Sequence, residues 1–251
     1  MPIVETEAVI IRGWDYGESD RIISCYTLDY GKINIFVKGI KNPKNNLKGC
    51  FEPLTYINLS FLQKGHLKLY KSITADMIDP FIRLKSDFRR LMYSFYILTL
   101  INESTKEFDQ NVAIFDLMLT SLRLINNRVD VESLIRVFEI KLVDILGYAP
   151  RLDSCVICTV DMEKSDMVFS LDKGGLLCKR CGTMRKRASF PISRGGIKFF
   201  RQGLNLGLDK LSNLRITNSL NKELKPILTS YLTFHLEKEI KPFQMFTNKC
   251  Q

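Results

Sequence analysis

The chain has 251 residues, of which 45% are hydrophobic and 25% are charged, a composition that can build hydrophobic cores and does not favour a disordered protein. Its 37 lysines and arginines exceed its 27 aspartates and glutamates, and the net charge of +10 favours a polyanionic partner such as nucleic acid or an acidic lipid surface. The longest nearly uncharged apolar stretch, residues 92–101, is about half the length that spans a bilayer, and the N-terminus lacks a secretory pattern. We therefore expect a soluble, cytoplasmic protein with no membrane contact.

The first eighty residues contain five short segments of strand-forming residues separated by turn signals. Five strands in about seventy residues suit a closed barrel better than an open sheet, because closure removes exposed edges. The sequence therefore predicts an N-terminal five-stranded OB-fold β-barrel. Its strands are expected at residues 9–14, 21–27, 32–38, 55–61 and 66–72.

Two Cys-x-x-Cys motifs, separated by nineteen residues, carry the clearest chemical signal of the chain. Two thiolates at this spacing reach one ion from a tight turn, so both pairs together complete a tetrahedral shell of four cysteines for one structural Zn²⁺ per chain. Gly174 and Gly175 lie between the motifs and most simply allow a tight turn. The remaining three cysteines are an odd number, which fits a reducing compartment better than a disulfide framework. The predicted ligands are Cys155, Cys158, Cys178 and Cys181.

Beyond residue 80 the apolar residues recur at helical spacing, over residues 81–101, 112–125 and 131–146, with Asp130 as a predicted N-cap. Two later helices are predicted at residues 193–204 and 219–240, the second kinked or begun by Pro226. The fold class is α+β and multidomain, with an α-helical domain that carries a four-cysteine zinc-finger insertion. The expected plan is an OB-fold at residues 1–80, helical parts at 81–150 and 188–251, and the zinc module at 151–187.

Basic residues concentrate in two segments that contain no acidic residue, namely 31–50 and 178–208. Both predict surfaces for phosphate groups, and the open alternative is that each is an ordinary solvated face. The first segment includes a polar loop with Lys38, Lys41, Lys44 and Lys48. The second includes Lys179, Arg180, Arg185, Lys186, Arg187, Arg194, Lys198 and Arg201.

Aromatic residues alternate with lysines in two predicted strands. Strand three places Lys32, Phe36 and Lys38 opposite its apolar face, and strand five places Lys68 and Tyr70 opposite leucines. Single-strand binders stack bases on such rings and follow the phosphates with ammonium groups. The alternatives are an ordinary sheet surface, or a Phe36 ring packed beneath a helix.

Catalysis has little support in this sequence. The chain has two histidines, His66 and His235, and no glycine-rich phosphate-binding motif. Its carboxylates are dispersed, and Asp161 with Glu163 is a weak signature for a nuclease. We expect a protein that is not an enzyme.

Several motifs resemble those of the bacterial RecO family in order and spacing, from end to end of the chain. They are residues 15–21 (DYGESDR), 27–32 (TLDYGK), 38–39, 138–142 (FEIKL) with 146–150 (LGYAP), and the cysteine motifs that frame residues 169–170 and 174–175. The resemblance implies an OB-fold followed by a helical domain with a zinc-finger insertion. It also implies a nucleoid-associated bacterial protein.

The same resemblance implies a recombination mediator in DNA repair. Such a protein binds single- and double-stranded DNA, anneals complementary strands without ATP, pairs with RecR, contacts the C-terminal tail of the single-strand-binding protein and helps RecA load. Two alternatives stay open at this point. One is a zinc-stabilised adaptor that docks proteins, with incidental basic charge, and the less favoured one is an enzyme that processes nucleic acids.

Overall fold

The structure, a computed structural model, describes residues 2–62, 69–127, 130–161, 166–183 and 189–238. The chain divides into two compact units, one formed within Met1–Arg128 and the other within Val129–Ile240. Among the described residues, no helix is both long enough and apolar enough to cross a bilayer.

The first unit contains a closed five-stranded barrel, which confirms the predicted OB-fold. Its strands pair in the order β1-β2-β3-β5-β4, and all pairs are antiparallel except β3 with β5. In the described part of the chain, that parallel seam has two residue pairs, Ile35 with Tyr70 and Phe36 with Lys71. The strands are β1 (Ile3–Tyr16), β2 (Asp20–Thr27), β3 (Gly31–Val37), β4 (Tyr56–Leu62) and β5 (Tyr70–Asp79).

The alternation predicted for strand three is present in β3. Ile33, Ile35 and Val37 are buried in the barrel core, while Phe36 and Lys32 on the other face are partly exposed. A period of two residues places successive side chains on opposite faces of a strand, so this sequence builds one wall of the core and one outer surface.

Strand five is displaced from its prediction, because β5 begins at Tyr70 rather than at residue 66. Tyr70 is 4% exposed, and its ring packs 5.0 Å from that of Phe61 and 5.8 Å from that of Phe108. It faces the barrel interior, so the predicted outward direction of Tyr70 is wrong. Residues 63–68, which include His66 and Lys68, lie outside the described residues.

Three helices complete the first unit: α1 (Ile82–Ser86), α2 (Phe88–Ser104) and α3 (Val112–Asn127). The helix predicted over 81–101 is interrupted at Asp87, whose backbone is extended and whose side chain caps α2 by accepting from the Arg90 N–H. The Lys32 ammonium donates to the carbonyls of Asn102 at 2.6 Å and Thr105 at 2.7 Å. Lys32 thereby fastens β3 to the C-terminal end of α2, whose carbonyls have no partner within the helix.

The second unit surrounds α4 (Val131–Ile145), which packs against α6 and α7. Asp130 caps α4 as predicted, since its side chain accepts from the Ser133 N–H at 3.3 Å. Pro226 lies inside α7 and does not begin it. The other elements are β6 (Met167–Ser170), β7 (Gly175–Cys178), α5 (Lys179–Thr183), β8 (Ser189–Pro191), α6 (Arg194–Asn205) and α7 (Asn218–Leu236), with sheet order β7-β6-β8.

Candidate metal centre and nucleic-acid interface

The four predicted ligand cysteines converge in the second unit. Their sulfur atoms all lie within 4.8 Å of one another, and the sulfurs of Cys158 and Cys178 are 3.6 Å apart. Sulfurs at the corners of a tetrahedron about 2.3 Å from a central Zn²⁺ lie about 3.8 Å apart, so this cluster has the dimensions of a metal site. In the described part of the chain it is the cluster of His, Cys, Asp and Glu side chains suited to holding an ion.

Backbone hydrogen bonds position the first cysteine pair beside the hairpin that bears the second. The Val156 N–H donates to Leu176 of β7 at 2.8 Å, and the Cys155 N–H donates to Val160 at 2.9 Å. Gly174 has φ +59, and a Cβ on Gly175 would lie 2.5 Å from the Arg151 carbonyl oxygen. The turn between β6 and β7 therefore needs glycine at both positions, for conformation at one and for close approach at the other.

Ionisation within the cysteine cluster is unequal. Burial raises the pKa of Cys155, but N–H donors from Cys158, Cys178 and Ile157 outweigh it, and the pKa is lowered to about 6. Burial, with hydrogen bonds to the neighbouring sulfurs, raises the pKa of Cys181 to about 12. One thiolate thus forms readily, while a second one beside it is unfavourable unless a cation compensates the charge. Four thiolate ligands in one place require a metal ion to neutralise them.

Aromatic packing attaches the β6-β7-β8 sheet to the helices of the second unit. The Phe169 ring stacks 5.9 Å from that of Phe200 in α6 and meets that of Tyr231 in α7 edge to face at 5.1 Å. The Tyr231 hydroxyl donates to the Tyr148 carbonyl at 3.0 Å. The cysteine module is therefore anchored by one buried ring of its own sheet.

The predicted lysine loop of the barrel lies at the surface between β3 and β4. Lys38, Lys44 and Lys48 are exposed, and none of them forms an ion pair with a described carboxylate. Lys41 is half-buried and lies 3.0 Å from a carboxylate oxygen of Asp15. Three of the four loop lysines thus present their charge to solvent, where phosphate groups are accessible to them.

The start of this loop is held by Asp20 of β2. Its carboxylate accepts from the Gly39 N–H at 2.7 Å and from the Ser19 hydroxyl at 2.8 Å. The Gly39 hydrogen bond, followed by that of Ser19, lowers the pKa of Asp20. Within the loop, the Asn45 amide donates to the Gly39 carbonyl at 3.0 Å. The lysines are therefore carried on a fastened loop.

The other predicted contacts lie in different places. Phe36 is half-buried on the outer face of β3, and its ring lies 5.6 Å from that of Tyr16, a residue beyond the predicted end of strand one. Lys179 and Arg180 are exposed in α5, next to the second cysteine pair. Arg185, Lys186 and Arg187 fall outside the residues that the structure describes.

A groove of about 990 Å³ lies along α6 in the second unit. Arg194, Lys198 and Arg201 follow one another at helical spacing on its wall, and the Arg201 guanidinium is paired with Asp153. The groove also has residues that the sequence pattern did not single out: Gln202, Asn205, Leu206, Asn213 and Leu214. The signal available for them was their position in or just beyond a basic amphipathic helix.

An OB-fold barrel with a lysine loop, followed in the chain by a helical unit with a four-cysteine module, defines a class of modular OB-fold proteins. Residues 1–81 match the family described as Recombination protein O N terminal, and residues 85–242 match Recombination protein O C terminal. The chain therefore belongs to the RecO family, which acts in DNA repair and recombination.

Similar curated proteins extend over nearly the whole chain, and each is a DNA repair protein RecO. The protein from Dehalococcoides mccartyi is 31% identical over 238 residues, covering 94% of this chain and 92% of that protein. The protein from Alkaliphilus metalliredigens is 30% identical, covering 94% and 95% respectively. The protein from Desulforamulus reducens is 29% identical, covering 96% and 93%.

Proposed function

We propose that this protein is a non-catalytic mediator of DNA recombination in the bacterial cytoplasm, bound to the nucleoid. It binds single- and double-stranded DNA, anneals complementary strands without ATP and helps RecA load on strands coated with the single-strand-binding protein. The observation that carries the proposal is the match of both RecO family models along the chain. The exposed lysine loop of the barrel supports it, since phosphate contacts of this kind bind DNA of any sequence.

In this proposal the four-cysteine cluster holds one structural Zn²⁺ and takes no part in a reaction. A closed shell of four thiolates leaves no coordination position for a water molecule, and the ion supplies only a cross-link between the two cysteine pairs. Binding energy must therefore perform the annealing. Cations of the barrel loop, together with Lys179 and Arg180 of α5, reduce the repulsion between complementary strands and raise their local concentration.

A strand-annealing assay tests this function. We expect the protein to accelerate duplex formation between complementary single strands with neither nucleotide nor added divalent metal, and we expect excess salt to suppress it. The measurement is a time course of duplex formation with and without ATP, on naked strands and on coated strands. A strict ATP requirement, or cleavage of the strands, contradicts the mediator function and favours the enzyme alternative. Absent or salt-insensitive DNA binding favours the adaptor alternative.

The mediator function also includes three protein partners: RecR, RecA and the tail of the single-strand-binding protein. The RecO resemblance implies that this tail is acidic and apolar. The groove along α6 suits such a tail, because Lys198 offers a cation and Leu206 and Leu214 offer apolar surface in one groove. Lys198→Glu should weaken binding of a synthetic tail peptide about tenfold or more, as expected for reversal of one charge in a charged contact. Fluorescence anisotropy of the labelled peptide measures this, with Lys222→Glu on exposed α7 as the control.

A further inference from the structure

Aromatic side chains line up on the outer face of the barrel, across β1, β2 and β3. Trp14 pairs with Ile22 of β2, and Ile22 pairs with Phe36 of β3. Directly paired residues project from the same face of a sheet, and the opposite face at this level carries the core residues Ile23 and Ile35. Trp14, Ile22 and Phe36 therefore form one row on the outside of the barrel.

Tyr16 extends this row at the end of β1. Its ring meets that of Phe36 edge to face, with 5.6 Å between the centroids. Tyr16 is 55% exposed and Trp14 is 40% exposed, so neither ring fills the core. Large rings kept side by side at the surface mark an interaction site. Trp14, Tyr16 and Phe36 together form a surface that we call the outer-face platform.

Cations surround the outer-face platform. The Arg12 guanidinium lies 5.5 Å from the centre of the Trp14 ring. Lys71 of β5 pairs with Phe36 in the parallel seam and is exposed, and Lys38, two residues after Phe36 in the turn that follows β3, is exposed as well. This arrangement of flat rings bordered by positive groups matches a polyanion that carries flat apolar groups.

Two carboxylates near the platform are already compensated. Asp15 is paired with Lys41 at 3.0 Å and with Arg21 at 3.5 Å, and Asp20 accepts hydrogen bonds from Gly39 and Ser19. Asp15 and Asp20 are thus held by their own neighbours, while Arg12, Lys38 and Lys71 lie at the border of the rings.

We propose that the outer-face platform stacks the unpaired bases of single-stranded nucleic acid, while Arg12, Lys38 and Lys71 hold its phosphates. This inference rests on the DNA binding proposed above and assigns its stacking residues. Every unpaired base has a flat face that stacks on an aromatic ring, whereas a duplex keeps those faces in its own stack. The rings of the platform therefore discriminate single strands from duplex, whereas the phosphate contacts, including that of Lys38 in the lysine loop, do not.

The intrinsic fluorescence of Trp14 tests the proposal directly, because Trp14 is the only tryptophan of the chain. The probe is oligo(dT) of about 16 nucleotides, the upper end of the site size of one OB-fold. We expect oligo(dT) to quench the tryptophan signal as it binds. An abasic oligonucleotide of equal length, which has the phosphates without the bases, should bind more weakly and leave the signal unchanged.

Substitutions in the platform provide a second, independent readout. Trp14→Ala and Phe36→Ala should each weaken binding of oligo(dT) about tenfold, with no change in the slope of log affinity against log salt, because stacking releases no counterion. Affinity for duplex DNA should stay within about twofold. Trp14→Phe should restore most of the affinity, and Phe88→Ala, which removes a 75% exposed ring from α2, is the matched control.

The outcomes separate this inference from the function on which it rests. Labelled DNA that binds without quenching Trp14, and with the same affinity after Trp14→Ala, overturns the platform and leaves the DNA-binding function intact. Equal losses for oligo(dT) and duplex also overturn it, because they indicate damage to the fold or a lost phosphate contact. Failure of all DNA to bind overturns the proposed function itself.

Discussion

The barrel and the cysteine module are stabilised by different means. The barrel encloses a cluster of fifteen buried residues, including Phe51 and Phe61. The module has a three-stranded sheet with strands of four, four and three residues, too short to be stable without support. Apolar burial therefore sustains the barrel, whereas in the proposed function a structural Zn²⁺ sustains the module together with one aromatic anchor. Loss of the metal should act on one region and spare the other.

Removal of a metal ligand should have the largest effect among the tests of this difference. Cys178→Ser leaves three thiolates, so we expect loss of about one Zn²⁺ per chain and local unfolding over residues 151–187, because metal binding of this kind supplies about 10 kcal/mol or more of folding free energy. Metal analysis and hydrogen exchange measure both effects. Cys25→Ser is no suitable control, since Cys25 is buried in the barrel core. Ser212→Ala on the surface of the second unit serves instead.

Two results would contradict this account. If protein purified without chelator contains no zinc, the module does not depend on a bound metal ion. Exchange that increases equally in the barrel and in residues 151–187 shows that the two regions are not independently stabilised.

The next largest effect concerns charge on the barrel. Replacing Lys38, Lys41, Lys44 and Lys48 with Gln should reduce the salt dependence of single-strand binding by about two to three units of slope, since each neutralised phosphate contributes about 0.7. Lys41 should contribute least because Asp15 already pairs with it. The measurement is a titration of labelled DNA at several salt concentrations.

A charge-matched control distinguishes the loop from net charge alone. Lys173, Lys210, Lys222 and Lys225 are exposed in the second unit, and their replacement with Gln removes the same formal charge. If this control and the loop variant flatten the slope equally, or if neither does, the loop is an ordinary solvated surface.

The smallest effect is a pH dependence in the second unit. Burial lowers the pKa of His235, whose ring stacks 4.2 Å from that of Tyr148. The folded state favours neutral imidazole, so His235 contributes to folding stability. This contribution is complete above the ordinary pKa of about 6.5 and is lost as the pH falls through the lower pKa of the folded state. His235→Phe keeps the ring contact and removes the titration. Between about pH 7 and 5, the free energy of unfolding of the native protein should fall by more than that of His235→Phe, with a difference of less than about 1 kcal/mol. Thermal unfolding at several pH values measures this. Equal pH profiles for the two proteins refute the role of His235.

The local sequence pattern was sufficient to predict the barrel, the helical region and the convergence of the four cysteines. The alternation of β3 and the Asp130 cap depend on neighbours in sequence, and both were predicted correctly. The direction of Tyr70 was not, because it depends on which strand pairs with β5 and on the Phe61 and Phe108 rings that it meets. Trp14 and Phe36 likewise come to lie in one row, on either side of Ile22, only through the register of β1, β2 and β3. Register is a tertiary property, and spacing along one strand does not reveal it.

The seam between β3 and β5 gives the barrel a weakest line. Among the residues that the structure describes, two residue pairs close it, whereas seven pairs join β1 to β4. Opening of the seam breaks the fewest ladder contacts and therefore needs less free energy than global unfolding. We therefore expect local opening of the barrel to begin at this seam, where β5 would separate from Phe36 while the other strand pairs stay closed. A ligand that contacts both Phe36 and Lys71 would connect β3 to β5 and stabilise the closed seam.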